Sequence, residues 1–454
     1  MVHTVNRETA PVTRGGNPHP YVPATDADRA AMLEAIGVKS FAELVHEIPE
    51  RLRFPDLDLA DGTPELTLAA DMAAMAARNV TPGDYACFLG AGAYRHFIPS
   101  TVGAILQRGE FVTAYTPYQP EAAQGTLQTG FEFQSAICQL FDMEVTNAGM
   151  YDGPTAFAEA ALMACRITRR QKVAVLDTAD PRLVEVLKAY STYQKIEIVS
   201  LSPDSDNTPD DIACIAIQSP NLYGVLEDIG KLTERAHAVG ALSITHVNPT
   251  AHGLFQPPGK YGVDIATAEG QPLGVPLSFG GAYVGLFSCR QEHIRQLPGR
   301  IIGRTTDTEG RTGYALTLQT REQHIRRERA TSNICTSTQL IGLMVAVYIA
   351  TLGKQGLREV ANLCYQKAHY AASEIAKIPG YSLPVDGTFF HEFAVTCPKP
   401  VSEVNAALLD RKIIGGYDIS AHIPNTMLLC FTEMNSRAEI DSLLAALREI
   451  GGAK

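Results

Sequence analysis

No apolar run in this 454-residue chain reaches the roughly 18 residues needed to cross a bilayer. The longest such segment, Leu340–Leu352, is too short and is interrupted by Gly342. The opening residues, MVHTVNRETAPVTRGGNPHPYVP, lack the apolar centre of a secretory leader, so none is expected and the membrane is not an expected partner. Positive charge is also scarce. The formal net charge is −11, and a phosphate backbone attracts the opposite sign, which argues against nucleic-acid binding. Cysteine pattern is missing as well. The nine cysteines are scattered without C-x-x-C spacing, and most, such as Cys138, Cys165, Cys214, Cys289, Cys364 and Cys430, lie in apolar company. Reduced, buried thiols and a cytoplasmic location are expected. There is no zinc-type His/Cys cluster. His391-Glu392 is not followed by a second histidine at metal-binding spacing, so no metal site is expected.

What is present is ordinary for a large globular chain: 45% apolar and 19% charged residues, enough for two or three domains. Residues 1–64 read as a polar Pro/Gly-rich arm followed by a module of short helices. One helix starts at Thr25-Asp26 and stops at Gly37; another follows a capping-box pattern, Ser40 to Glu43, and stops at Pro49. Residues 65–338 read as a large α/β domain. A helix over 65–78 opens it, with Leu68, Met72 and Met75 on one stripe. Strands are expected at 172–176, 196–201, 211–218, 241–247, 265–268 and 283–289, with helices from Asp180-Pro181 and over 228–239. That rhythm implies a doubly wound sheet with ligands at the carboxyl ends of its strands, where the loops Gln218–Asn221 and His246–Pro249 fall. Residues 339–454 read as a small C-terminal α+β domain, with two consecutive helices (339–352, 357–378), short strands near 390–396 and 426–431, and helices over 401–409 and 437–449.

The stretch 88–168 holds three segments that packing alone does not ask for. Gly90 to His96 puts Tyr94, Arg95 and His96 on a small-residue loop. Tyr115 to Glu121 is polar and aromatic but stiffened by two prolines. Asp152-Gly153-Pro154-Thr155 turns straight into an Ala-rich helix. The motifs GAGAYRHFIP (90–99), TAYTPYQPEAAQGTLQ (113–128), MYDGPTAFAEAA (150–161), PGRIIGRTTD (298–307) and LTLQTREQHIRRERATSNICT (316–336) resemble the P-protein of the glycine cleavage system, and specifically subunit 1, the alpha chain of its split form. The resemblance spans nearly the whole chain. It implies a fold type I pyridoxal-phosphate architecture like that of aspartate aminotransferase, and a glycine dehydrogenase (decarboxylating). It also implies a heterotetramer with a subunit 2 (beta chain), and H-protein, whose lipoyl group accepts the aminomethyl group of glycine.

The residues themselves test that implication. A pyridoxal-phosphate enzyme needs a lysine for the Schiff base and a carboxylate beside the ring nitrogen. Here the strand-end position carries Asn248, and no lysine occurs from Tyr261 to Gly353. The loop expected to hold the lysine reads Glu269-Gly270-Gln271, and Lys260 lies earlier in a Pro/Gly turn. In Asp152–Thr155, where a phosphate cradle is expected, Pro154 removes an N–H and Asp152 is placed to cap the helix itself. Pyridoxal phosphate is therefore expected on the partner subunit, with Asp152, Thr155, His246, Asn248 and Gln271 as remnants of a lost site. By resemblance, Tyr94, Arg95, His96, Arg321, His324 and Arg326 contribute to the partner's active site. Tyr115, Tyr118, Glu121, Arg327 and Arg329 belong to the interface. The other reading of 321–329 is a solvated face paired by Glu322 and Glu328. Two alternatives stay open: an autonomous pyridoxal-phosphate enzyme, and a purely structural or regulatory subunit.

Overall fold

A computed structural model describes residues 21, 23–53, 55, 58–60, 62–112, 114–205, 207–335 and 338–452. The N-terminal arm up to residue 20, and Thr113 and Thr336 of the motifs above, lie outside the described residues. The chain divides after Asn79 into two compact units.

In the first unit, helix Asp26–Ile36 begins where the sequence signals it. Thr25 accepts the Asp28 N–H, Asp28 reaches back to Thr25, and Gly37 ends the helix at φ 87°. The expected second helix is only Phe41–Leu44, and Ser40 does not cap it. The Glu43 carboxylate turns back instead to the Lys39 N–H at 3.2 Å. Helix Glu65–Ala76 forms as expected, with Leu68, Met72 and Met75 on its exposed surface.

The second unit is built on a seven-stranded sheet. Across it run Val145–Thr146, Gly285–Cys289, Ile265–Glu269, Leu242–Val247, Cys214–Ser219, Lys172–Leu176 and Glu197–Leu201. The last five are mutually parallel, while Gly285–Cys289 runs antiparallel to both neighbours. The central strands are buried along their length, which is why they read as continuous apolar runs. Helix Gly153–Thr168 is almost wholly buried against the sheet, and its alanines permit that close approach.

The C-terminal layer is a three-stranded antiparallel sheet, Glu392–Thr396, Thr426–Cys430 and Tyr417–Asp418, covered by helices Val401–Leu409 and Arg437–Ile450. Gln339–Ile375 is the one helix among the described residues with the length and composition of a membrane span. Gly353, at φ 61°, breaks it close to the expected boundary, and Leu343, Val345, Tyr348, Cys364 and Ile375 are buried in the core.

The short edge strands Val145–Thr146 and Tyr417–Asp418 went unread in the sequence, and so did two further pairings. Ala86–Cys87 pairs in parallel with Ile413–Ile414, and Ile301–Thr306 forms a hairpin with Thr312–Thr317. The first of these places the functional loop. Phe88 is fully buried against Phe431 with ring centroids 5.1 Å apart, and residues 89–99 then leave the C-terminal layer for the large sheet.

Candidate functional site

The loops after the parallel strands surround a cavity, as the strand–helix rhythm implies. Gln218, Asn221, His246, Asn248 and Glu269 line it from the sheet, Asp180 and Arg182 from the start of a helix, and Tyr94 and Glu392 from the C-terminal side. The cavity holds about 70 Å³, against roughly 300 Å³ at the small end of ligand pockets.

One wall is the N-terminus of helix Gly153–Thr168. Such a terminus presents unpaired N–H groups and partial positive charge. Asp152 accepts the Thr155 N–H at 2.8 Å, and Thr155 accepts the Asp152 N–H at 3.2 Å. Pro154 has no N–H to offer. The Gly153 N–H goes to Glu269 Oε2 at 2.8 Å, and Glu269 Oε1 accepts the Gln271 N–H at 2.9 Å. A native carboxylate does fill the anion position, but it comes from Glu269 as well as from Asp152. Gly153 is required there, since a Cβ would stand 2.8 Å from Glu269. Burial pushes the Glu269 carboxyl up to about 7, against the pull of the Gly153 and Gln271 N–H groups.

Gln271 stands in the loop where a lysine would be needed, and it is 1% exposed. Its Oε1 accepts the Tyr94 N–H at 2.8 Å, and its Nε2 donates to the carbonyls of Tyr94 at 2.9 Å and Val275 at 2.8 Å. It is a backbone clamp on the Gly90–His96 loop. Beyond the clamp, the Tyr94 hydroxyl donates to Glu392 Oε2 at 2.7 Å and the Ala91 N–H to Oε1 at 2.6 Å. Burial pushes Glu392 up to about 7, and those two donors oppose it. The Tyr94 phenol is held well above its ordinary range by burial and by Glu392 beside it.

His96 is buried, with Nδ1 2.8 Å from Glu433 Oε2, whose other oxygen accepts the Phe97 N–H at 2.6 Å. Arg95 gives its carbonyl to Thr432 at 2.6 Å. Tyr94 and His96 are thus held by carboxylates of their own chain. His96, Glu433 and Cys364 bring three ligand-type atoms within 4.8 Å of one another. Glu433 is already paired there, and burial raises the Cys364 thiol well above its usual range. His246 rests edge-on against Phe157, with Nδ1 3.0 Å from Thr267 Oγ1, and burial lowers it to about 4. Asn248 accepts the Thr250 N–H at 3.0 Å and meets His391 Nε2 at 3.3 Å.

The other expected residues gather elsewhere. Arg300, 5% exposed, donates to Tyr118 Oη at 3.1 Å and to the Cys335 carbonyl at 2.7 Å, and its Nε lies 3.4 Å from Glu322. His324 lies edge-on to Tyr118 with ring centroids 5.4 Å apart. Arg321 donates to the Gly299 carbonyl at 3.0 Å. Segment 319–329 is a series of short turns, not a regular helix face. Arg326 binds the Thr320 carbonyl at 3.1 Å, Arg329 lies 3.8 Å from Glu328, and Arg327 lines a neighbouring cleft. Glu121 is exposed in the turn Pro120–Ala122, and Tyr115 is 82% exposed beside an apolar cleft.

Sequence reasoning missed Glu269 and Glu392 as site residues. Glu392 entered only as part of a failed metal motif, and its link to Tyr94 is long-range. These residues do not fit pyridoxal phosphate. Among the described residues no lysine lines the cavity, its volume is small, and the helix terminus that would cradle a phosphate is filled by side chains of the chain. Lys260 is exposed and pairs with Asp142 at 3.0 Å.

A family model for the glycine cleavage system P-protein matches residues 19–447. The chain is 49% identical to a probable glycine dehydrogenase (decarboxylating) subunit 1 of Thermomicrobium roseum, over 94% of this chain and 99% of that one. A protein described in the same words from Desulfitobacterium hafniense is 47% identical over 95% and 99%. The crystal structure of a glycine decarboxylase (P-protein) in inhibitor-bound form superposes with a TM-score of 0.89 at 39% identity, covering 95% of this chain and all of that one. The Escherichia coli cysteine desulfurase CsdA, 14% identical with a TM-score of 0.59, shares the fold.

Proposed function

The chain belongs to the glycine cleavage system P-protein family, and we propose that it serves there as subunit 1 of a glycine dehydrogenase (decarboxylating), beside a subunit 2 that holds the pyridoxal phosphate. The assembled enzyme decarboxylates glycine and passes the aminomethyl group to the lipoyl arm of H-protein. It works in the cytoplasm as a tetramer of two chains of each kind. The observation that carries this division of labour is the Glu269 carboxylate on the Gly153 N–H, in a cavity without a lysine.

The contribution of this chain is then to shape its partner's site. Tyr115, Tyr118, Glu121, His324, Arg326, Arg327 and Arg329 supply aromatic and charged groups toward the partner, and Arg300 and Arg321 hold their segment in place. Tyr94, Arg95 and His96 act from behind, by fixing the loop that joins the two layers. The test is to express the chain alone and together with subunit 2. Cofactor absorbance and glycine–carbon dioxide exchange are expected only in the co-expressed complex; either one in the lone chain would sink the reading.

A further inference from the structure

The cavity at the strand ends is small and polar, and its charges do not balance. Its walls carry three carboxylates, Asp180, Glu269 and Glu392, and one guanidinium, Arg182. Arg182 is committed to Asp180 through Nε at 3.0 Å and to the Ala91 carbonyl at 2.8 Å. His246 is neutral near pH 7, because burial lowers it. Among the described residues Glu269 lining the cavity forms no ion pair, and Glu392 feels Arg182 only at a distance, through its charge. Each of their four oxygens accepts a hydrogen bond, from Gly153, Gln271, Ala91 or Tyr94. Each oxygen retains a further lone pair.

A second feature points inward. His246 is 8% exposed and lines the same cavity. Its Nδ1 is engaged by Thr267 at 3.0 Å, while Nε2 has no hydrogen-bond partner among the described residues. With Nδ1–H donating to Thr267, Nε2 is an acceptor.

We propose that this cavity binds a small primary ammonium group, with Glu269 and Glu392 as its counter-charges and His246 Nε2 as a third acceptor. An alkylammonium has three N–H donors and no acceptor, which matches that set. The volume of about 70 Å³ restricts the ligand to a few heavy atoms, of methylammonium or glycine size. The carboxylates that close the helix terminus disfavour an anion. The proposal rests on the reading that this chain holds no pyridoxal phosphate, which the absorbance of the lone chain checks separately.

The test uses the full chain, free of cofactor, titrated by calorimetry with methylammonium chloride, glycine and sodium phosphate at matched ionic strength and at about pH 8, above the value of about 7 to which burial raises Glu269 and Glu392. One saturable methylammonium site is expected. Its affinity should fall at least tenfold in Glu269→Gln and in His246→Phe. Tighter binding of glycine than of methylammonium would identify an amino acid as the ligand. Binding of methylammonium alone would identify a simple amine. Phosphate binding without methylammonium binding, no saturable binding of either, or unchanged affinity in the folded variants overturns the proposal. Melting curves establish folding, and His246→Phe decides the matter if Glu269→Gln does not fold.

Discussion

The Glu269 carboxylate accepts the Gly153 N–H at 2.8 Å, across 116 positions of the chain. A helix N-terminus is where this kind of sheet places phosphate. Here the end of strand Ile265–Glu269 delivers a side-chain carboxyl to that point. A phosphate arriving there would have to expel Glu269 and leave its carboxylate unpaired in a buried setting, at a cost of several kcal/mol. The misfit to a bound phosphate is thus built into the packing and is more than the absence of a lysine.

That placement has a pH signature. Burial raises both Glu269 and Glu392 from 4.5 to about 7. Between about pH 4.5 and 7 the native chain holds protons that the unfolded chain has lost, so these groups remove stability as pH rises through that window. His246 acts in the opposite sense: its value falls from 6.5 to about 4, so its contribution is complete above 6.5 and is lost as pH falls. The two windows overlap, and only a difference separates them. Urea midpoints of Glu269→Gln minus wild type should climb between about pH 5 and 7.5 and then level off. A tenfold difference in proton affinity between the folded and unfolded chain corresponds to about 1.4 kcal/mol of stability. A flat difference would show that Glu269 is not buried as described.

The Gln271 clamp and the Tyr94 hydroxyl are separable. Tyr94→Phe removes one donor from Glu392 and should cost about 1–2 kcal/mol while raising the Glu392 carboxyl further. Gln271→Ala strands the N–H and C=O of Tyr94 and should cost more, about 2 kcal/mol or above. Amide hydrogen exchange distinguishes them. The Tyr94 amide should exchange much faster in Gln271→Ala and nearly as slowly as wild type in Tyr94→Phe. Equal protection in both variants would refute the clamp.

Much of the large domain was legible because its signals are local. The apolar runs at Lys172–Leu176, Cys214–Ser219 and Leu242–Val247, and the Asp180-Pro181 helix start, each carry their own pattern. Pairings made over long distances left no such mark. Ala86–Cys87 is too short to show a period, and its partner Ile413–Ile414 lies at the other end of the chain. The hairpin at Ile301–Thr317 is polar and exposed toward its turn, which blurs the alternation. The site follows the same rule. The strand-end loops Gln218–Asn221 and His246–Pro249 were expected from topology, and they line the cavity. Glu392 reaches it, and Glu433 reaches His96 and Phe97, only through folding of the C-terminal layer over residues 88–97.

Glu433 is the anchor of that layer on the loop. Its carboxyl is pushed up by burial but drawn down further, to below its ordinary value, by His96 and the Phe97 N–H. Glu433→Gln keeps the shape and one acceptor while removing the charge. It should cost about 2–3 kcal/mol, seen as a lower urea midpoint, with faster exchange at the Phe97 amide. His96→Ala, which leaves the carboxylate buried without its partner, should cost more, about 3–5 kcal/mol. A smaller loss for His96→Ala than for Glu433→Gln would show that the His96 contact does not hold the carboxylate.

Arg300 and Arg326 separate the structural part of the 298–336 region from the part assigned to the partner. Arg300→Ala removes the bonds to Tyr118 and to the Cys335 carbonyl and deprives Glu322, whose side chain is only 9% exposed, of its nearest cation. It should destabilise the chain by about 3–5 kcal/mol and lower glycine–carbon dioxide exchange through misplacement of the whole segment. Arg326 is exposed and, among the described residues, its side chain makes one hydrogen bond, to the Thr320 carbonyl. Arg326→Ala, alone or with His324→Ala, should melt within about 2 °C of wild type and still assemble with subunit 2. Its effect should fall on exchange, by tenfold or more, if these charges contribute to the partner's site as proposed. An assembled double variant with full exchange would remove these residues from the shared site and leave 321–329 as a solvated surface, the other reading its sequence allows.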